Sequence, residues 1–329
     1  MIQAVDRDFI KGVVDSLVKV YGKGSAMILS QAPDSDVRDF ISTQSDVVDK
    51  AIGKPGIPVG RLTTIVGNVG SGKTTLATHM LAETQRRGGV GVLIDTEYAF
   101  DLDRAVRIGV NPDTLIVMQP GHVQAVLSQI ESLVNAVRSS QKDILTTIVF
   151  DSVAGTPTKE EMEEDIEESK SFAGHARLLS KGLRKIIPLI AHEKIALIFV
   201  NQQKQMIGVQ YGNPNTMIAE RPVGYHSTLI LDIHRTGYVK YRDEIKGIEC
   251  RVKVTKNKLA PPFREAKIDI LFDTGIDEFG ALLAQAVELA LVKFSRGWYE
   301  IEEEKFRATQ WREILQKYPE LERTLRSSV

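Results

Sequence analysis

The sequence predicts an α/β fold with a mostly parallel central sheet, on three observations. Short β-branched runs alternate with segments of helical periodicity from about residue 45 to about residue 276. A glycine-rich segment, Gly67 to Thr74, follows one of these runs directly and opens a helical pattern. Three further runs, 227–235, 248–256 and 266–272, have no helical pattern between them. Strands that alternate with helices build βαβ units whose sheet is covered on both faces. Strands in direct succession pair antiparallel and extend one edge of such a sheet.

Taken in order, residues 4–21 place Val5, Phe9, Val13, Leu17 and Val20 at helical spacing, and Gly22 and Gly24 stop the pattern. This amphipathic helix has nothing of its own to pack on. Beyond the polar stretch 33–39 come the predicted strands 62–66, 90–95, 114–118, 146–151 and 196–201, with helices near 73–87, 121–138 and 174–192 between most of them. From 277 onward, helical patterns and the WYEI segment at 298–301 suggest a small α/β appendage. The expected division is an N-terminal arm over 1–44, a core over 45–276 and a small C-terminal domain over 277–329.

With 43% apolar, 26% charged and 6% aromatic residues among 329, the composition is that of a soluble globular protein, not of a collagen, a disulfide scaffold or a disordered chain. No apolar run reaches the length of a membrane span, and MIQAVDRDF lacks the basic and apolar segments of a secretory signal. The single Cys250 cannot form an internal disulfide. A cytoplasmic protein without a membrane partner is expected. The net charge of −1, from 42 Lys and Arg against 43 Asp and Glu, gives no long-range attraction to nucleic acid, so any such binding must come from local patches. One window, 160–168, is acidic at seven of nine positions and reads as a solvated helix face or mobile loop.

The segment GNVGSGKTT has the pattern G-x-x-x-x-G-K-T between a strand and a helix. Its glycines let backbone N–H groups of Gly67, Asn68, Val69, Gly70, Ser71 and Gly72 turn inward around phosphates. Lys73 then reaches the β- and γ-phosphates, Thr74 can hold Mg²⁺, and the helix N-terminus through Thr75 adds its positive dipole end. A glycine-rich turn without that role does not account for Lys73 and Thr74. Mg²⁺ needs a second oxygen ligand opposite Thr74, and TTIVFDS supplies Asp151 at a strand end, where an Asp can otherwise serve as a cap. Hydrolysis also needs a group that orients water, and LIDTEYAFD offers Asp95 and Glu97, of which Glu97 lies just past the strand end.

The histidines show no zinc-ligand spacing, and His175 and His192 are expected on helix surfaces. Cys250, within a β-rich run, reads as an inert packed thiol. Arg177, Lys181, Arg184 and Lys185 form a basic stripe that could track phosphates or simply be a solvated face.

With these residues in hand, the sequence resembles the RecA recombinase family of bacteria and phages over nearly its whole length. The segments that carry the resemblance are YGKGSAM (21–27), IPVGR (57–61), GNVGSGKTT, LIDTEYAFD (93–101), VFDSVAG (149–155), ARLLSKGLRK (176–185), FVNQ (199–202), IGVQYGNP (207–214), RVKVTKNKLAPPF (251–263) and FGALLAQAVE (279–288). The resemblance implies a RecA-like P-loop ATPase core with an N-terminal oligomerisation helix and a small C-terminal α/β domain. It implies ATP and Mg²⁺ as cofactors, single-stranded DNA and homologous double-stranded DNA as partners, and a homo-oligomeric helical filament that performs strand exchange. It assigns Glu97 as the water-activating carboxylate, Gln202 as the γ-phosphate sensor, and Asp101 and Arg104 to the nucleotide. Lys256 and Lys258 would reach the nucleotide of the neighbouring subunit, like arginine fingers. Without the resemblance, two lysines alternating on a strand would read as an exposed edge. The first DNA-binding loop would fall near 164–173 and the second near 203–222, with Arg177, Ser180, Arg184, Lys204, Ile207 and Gly208 at DNA.

The chain departs from the family pattern at several places. Asn68, Val69 and Gly70 stand where Pro-Glu-Ser is usual, Arg104 where an aromatic ring stacks on adenine, and Ala219 and Glu220 where a glycine pair is usual. Loop one is acidic and lacks the family's glycines. A guanidinium plane can also stack on a base, so Arg104 is compatible with nucleotide binding. Two other readings of the same core are a ring-forming helicase or motor and a nucleotide-gated DNA-coating protein with negligible hydrolysis. KNKLAPPF and IGVQYGNP argue against the first, and Glu97 with Asp151 against the second.

Overall fold

The computed structural model describes residues 6–22, 25–28, 37, 39–140, 143–163, 173–191, 193–205, 215–217, 219–241 and 243–327. The chain falls into two compact units, Met1–Arg38 and Asp39–Val329. In the first, helix α1 (Arg7–Tyr21) begins where the Asp6 side chain accepts from the Asp8 N–H and ends at Gly22, whose φ is 96°. Phe9, Val13, Leu17 and Val20 lie along one stripe of it, and none of its residues is buried.

In the second unit the chain runs through β1 (Phe40–Ile41), α2 (Asp46–Ile52) and β2 (Ile57–Pro58) into β3 (Leu62–Gly67) and α3 (Lys73–Arg86). It continues through β4 (Val90–Asp95), α4 (Leu102–Ile108), β5 (Leu115–Met118), α5 (Val123–Ser139), β6 (Thr146–Asp151), α6 (Lys159–Glu163) and α7 (Ala173–Ile190). Then follow β7 (Ile195–Gln205), β8 (Asn215–Met217), α8 (Glu220–His226), β9 (Leu229–Tyr241), β10 (Glu244–Asn257), β11 (Glu265–Leu271) and β12 (Gly275–Ile276). The C-terminal part comprises α9 (Glu278–Glu288), β13 (Lys293–Ser295), β14 (Trp298–Ile301), β15 (Glu304–Phe306), α10 (Trp311–Lys317) and α11 (Pro319–Ser327). Phe40 and Ile41, within the arm as read from sequence, pair antiparallel with β2 in the second unit.

The large sheet has the order β12-β11-β10-β9-β3-β7-β6-β4-β5, with β8 paired to β7. From β9 to β5 every pairing on this path is parallel, and β9 to β12 are antiparallel. Side chains alternate between faces along each strand. On β7, Ala196, Ile198 and Val200 join a cluster with Leu76, Met80 and Leu81 of α3. Ile195, Leu197 and Phe199 point the other way, to Ile130 of α5 and Leu183 of α7. Phe199 meets Phe150 edge to face at 5.2 Å, a geometry that complements the ring quadrupoles. Burial on both faces explains the nearly unbroken apolar strands. A separate apolar cluster around Trp311, Phe306 and Leu325 holds α9 to α11 with the three-stranded sheet β13-β14-β15. No helix among the described residues is long and apolar enough to cross a membrane.

His175 departs from its expected place on a helix surface. It is buried on α7, with Nε2 3.1 Å from the carbonyl oxygen of Thr156, which follows β6. His192 lies outside the described residues.

Candidate active site

Parallel strands bring their C-terminal ends to one rim of the sheet, and the loops there carry the candidate chemistry. Cα register pairs Gly67 with Gln202 and Asp95 with Asp151. The phosphate loop leaves β3 at Gly67, where a side chain would run into the Ile233 carbonyl. It turns through Gly70 and Gly72 at φ 69° and 89°, conformations that glycine adopts without steric cost. Lys73 is buried, and its Nζ donates to the Asn68 carbonyl oxygen at 2.7 Å, so the ammonium lies within the loop's curve. Burial holds its pKa below the ordinary lysine value, partly offset by Asp151 and Glu97. The Cys250 thiol lies 3.4 Å from the Ser71 carbonyl oxygen, is buried, and is pushed up to about 12 by that burial.

Thr74 Oγ1 donates to Asp151 Oδ2 at 2.6 Å. Asp151 is raised to about 6, mainly by burial and further by Glu97, against the lowering effects of the Thr74 bond and Lys73. Two hard oxygens converging beside a buried ammonium suit Mg²⁺, which takes oxygen ligands and is bound through few carboxylates plus substrate phosphates. Its positive charge would hold Asp151 ionised.

Glu97 is exposed just beyond β4. Its Oε1 accepts from Ser152 Oγ and, at 3.1 Å, from Gln202 Nε2. The Asp95 side chain instead accepts from the Glu97 N–H at 3.2 Å and from Gln119 at 3.4 Å, so Asp95 is engaged in holding the turn. Ser152 was not legible as a site residue: β4 and β6 are far apart in the chain, and the only sequence signal is its place directly after Asp151.

Beside the loop is a cleft of about 360 Å³ lined by residues that include Lys73, Thr74, Arg104, Arg235, Tyr238 and Phe272. Asp101 is not among its lining residues; it caps α4 by accepting from the Arg104 N–H at 2.9 Å. Arg235 and Tyr238 come from β9 and were not singled out by sequence, because no local pattern ties them to the phosphate loop.

Lys256 and Lys258 are not brought to this rim. In register, Lys256 pairs with Ile230, which pairs with Thr64, three residues before Gly67. At about 3.3 Å per residue, Lys256 sits roughly 10 Å down the sheet from the start of the phosphate loop, and Lys258 lies further along. Lys256 Nζ donates to the Gly224 carbonyl at 2.6 Å and to that of Tyr225 at 3.3 Å. Lys256 is paired on the β9 side only, beyond the last β10–β11 pair at Lys253, and Lys258 lies exposed just past the end of β10.

On α7, Leu179, Leu183, Ile186 and Ile190 face the core, while Arg177, Lys181, Arg184 and Lys185 are exposed. Lys185 Nζ bonds Glu131 at 3.0 Å, and Arg184 Nε donates to the Ser180 carbonyl at 3.1 Å. Burial, with help from Lys258, Arg184 and Lys256, lowers the pKa of His226. Residues 164–172 of loop one and 206–214 and 218 of loop two, including Ile207 and Gly208, lie outside the described residues; Lys204 is described as backbone of β7. Ala219, where the family usually has glycine, takes φ 50° at the start of α8, a left-handed conformation that favours glycine.

Residues 8–277 match the RecA N-terminal domain family. The chain belongs to the RecA family. It is 40% identical over 290 residues to Protein RecA of Wolbachia sp. subsp. Brugia malayi (strain TRS), covering 88% of this chain and 79% of that protein. To Protein RecA of Gluconobacter oxydans (strain 621H) it is 39% identical over 316 residues, 95% of this chain and 89% of that one. To Protein RecA of Chlorobaculum tepidum (strain ATCC 49652 / DSM 12025 / NBRC 103806 / TLS) it is 40% identical over 319 residues, 96% and 89%. Membership in the RecA family accounts for the α/β architecture and for a nucleotide-binding loop on a recombination protein.

Proposed function

We propose that this RecA-family recombination protein forms a helical filament on single-stranded DNA in the cytoplasm, hydrolyses ATP between adjacent subunits and exchanges strands with homologous double-stranded DNA. The carrying observation is the placement of Lys256 and Lys258 below the rim that holds their own phosphate loop, Lys256 level with Thr64 in the middle of β3 and Lys258 beside Thr228. A site that combines them with Lys73 and Glu97 needs two subunits, stacked head to tail. The apolar stripe of α1, with no buried residue, supports such a heterologous contact. Without ring closure, repetition of that contact gives a filament.

Within the site, backbone N–H groups of residues 67–72, together with Thr75 at the start of α3, cradle the phosphates, and Lys73 moves from the Asn68 carbonyl to the β- and γ-oxygens. Thr74 and Asp151 hold Mg²⁺, which when bound supplies charge to the transferring phosphoryl group. Glu97, held by Ser152 and Gln202, orients the attacking water. Gln202 heads loop two, so exchanging its bond to Glu97 for one to a phosphate oxygen would report nucleotide state to the DNA. Asp101 positions Arg104 at the base end. Arg177, Ser180 and Arg184 of α7, with Lys204, track the DNA backbone, and Ile207 and Gly208 approach the bases.

The test is strand exchange between homologous DNAs with and without ATP and Mg²⁺, using wild-type and Lys73→Ala protein. Exchange that requires both and is lost in folded Lys73→Ala supports the reading. Nucleotide-independent exchange, or closed rings in electron micrographs, overturns it.

A further inference from the structure

Three cations, from α7 and from the end of β10, gather around a histidine at the C-terminal end of α8. Lys256 Nζ lies against the last turn of that helix, donating to the Gly224 and Tyr225 carbonyls at 2.6 and 3.3 Å. The Lys258 N–H donates to the Thr228 carbonyl at 3.0 Å, which sets that residue beside the turn leaving α8. Arg184 stands exposed on α7, which packs against α8, with its Nε on the Ser180 carbonyl. His226, the last residue of α8, is partly exposed, and its ring lies edge to face with that of the exposed Tyr225 at 5.3 Å. The charges that act on it are those of Lys258, Arg184 and Lys256, all positive. Neither α7 nor β3, both packed against α8, carries a carboxylate. Glu220, the one carboxylate of α8, lies in its first turn, and Glu244 and Glu249 lie towards the other end of β10.

Like charges held together without a counter-ion cost free energy that an arriving anion offsets. In the free subunit, burial and the neighbouring cations disfavour the charged ring of His226, so it is neutral near pH 7. Lys256 shows the same shortage of anions, since burial and Lys258 hold its pKa below the ordinary lysine value. An approaching triphosphate reverses the sign of the field, and the ring can then take up a proton and donate to a phosphate oxygen. Lys256 and Lys258 are the residues that stacking would bring to the neighbouring nucleotide, so the same phosphates come within reach of the ring. We propose that His226 is a third phosphate-binding group of the shared nucleotide site, whose imidazolium joins Lys256 and Lys258 on the triphosphate held by the adjacent subunit. This rests on the shared-site reading above and adds a proton-dependent member to it.

The test compares the ATP concentration that half-saturates DNA-stimulated phosphate release by wild type, His226→Gln and His226→Lys between pH 8 and pH 6. Ratios between the proteins cancel the titration of ATP and of other residues. Wild type and His226→Gln are expected to agree at pH 8 and to differ about tenfold at pH 6, the size of one charge-assisted hydrogen bond. His226→Lys, charged throughout, is expected to match wild type at pH 6 and to need about tenfold less ATP at pH 8. Ratios that stay constant with pH overturn the inference. Should His226→Gln not fold, the comparison of His226→Lys with wild type decides alone. Binding of single-stranded DNA without nucleotide, over a salt series, separates the two sources of phosphate: a pH-dependent change there, in place of one in ATP, assigns the ring to DNA and overturns the inference. Undiminished DNA-stimulated turnover in Lys258→Ala would remove the shared site itself, a result distinct from constant His226 ratios beside an inactive Lys258→Ala protein.

Discussion

Gln202 donates from Nε2 to Glu97 Oε1 across 3.1 Å, joining the ends of two strands that are not neighbours: β6 runs between β7 and β4. The carboxylate expected to orient water is thus tied to the residue that heads the second loop. Glu97→Gln should cut ATP hydrolysis by about 10² to 10⁴, the usual size of a lost general base, while nucleotide binding changes little. Gln202→Ala should instead leave nucleotide binding intact and remove its stimulation by DNA. Steady-state phosphate release, with and without single-stranded DNA, checks both; stimulation surviving in Gln202→Ala rules out the sensor role.

Sharing of the site between subunits has its own signature. Lys258→Ala and Glu97→Ala proteins should each be inactive alone. Mixed in equal amounts, they should regain part of the activity, because some interfaces then pair an intact Glu97 with an intact Lys258. Phosphate release from the mixture, with co-assembly verified, measures this. Mixed assemblies as inactive as either parent would contradict it.

His79 ties the phosphate-loop helix to two distant segments. Its Nε2 accepts from the Ile276 N–H at 2.9 Å, which leaves Nδ1 to donate to Gln44 Oε1 at 2.8 Å. Burial, with the nearby Arg104 charge, lowers its pKa from 6.5 to about 4. Above pH 6.5 the ring is neutral in folded and unfolded chains alike. As pH falls from 6.5 towards 4, the unfolded chain takes up the proton and the folded one does not, so stability is lost. The full loss is about 3 kcal/mol, at 1.36 kcal/mol per pKa unit. Denaturant unfolding of wild type and His79→Gln across that range should show the wild type's excess stability shrinking as pH falls. Parallel curves would show that His79 does not titrate in this way.

Arg184→Ala should weaken binding to all single-stranded sequences alike and lower the salt slope by about 0.7 for one lost phosphate contact. Replacing Glu163, the described end of the acidic window, together with Glu164 by Gln should tighten binding only slightly. Fluorescence anisotropy over a salt series measures both. A neutral Arg184 change beside a large Glu to Gln effect would place the DNA path elsewhere and leave the ATPase reading standing.

Whereas the expected runs 227–235 and 248–256 miss the last six residues of β9 and the first four of β10, sequence alone locates the parallel strands of the core, the helices α3, α5 and α7 to within a few residues, and the phosphate loop. These are local properties: a period of two or 3.6 residues, and a motif whose members are contiguous in the chain. It also bore the family resemblance, because enough short segments keep their order. The short elements α2, α8 and β8 have too few residues to show a period and went unread. Tertiary structure alone decided which chemistry-bearing residues meet. Crossover connections carry the chain away from each strand end and return it one strand over, so Thr74 finds Asp151, and Glu97 finds Ser152 and Gln202, with no trace of that nearness in their spacing. The same register sets Lys256 level with Thr64 in the middle of β3, below that rim, and leaves Lys258 just past the end of β10. It also lets α4, β9 and β11 close a cleft around Arg104, because side-chain meetings there depend on where strand ends are held by burial on both faces of the sheet rather than on their separation along the chain.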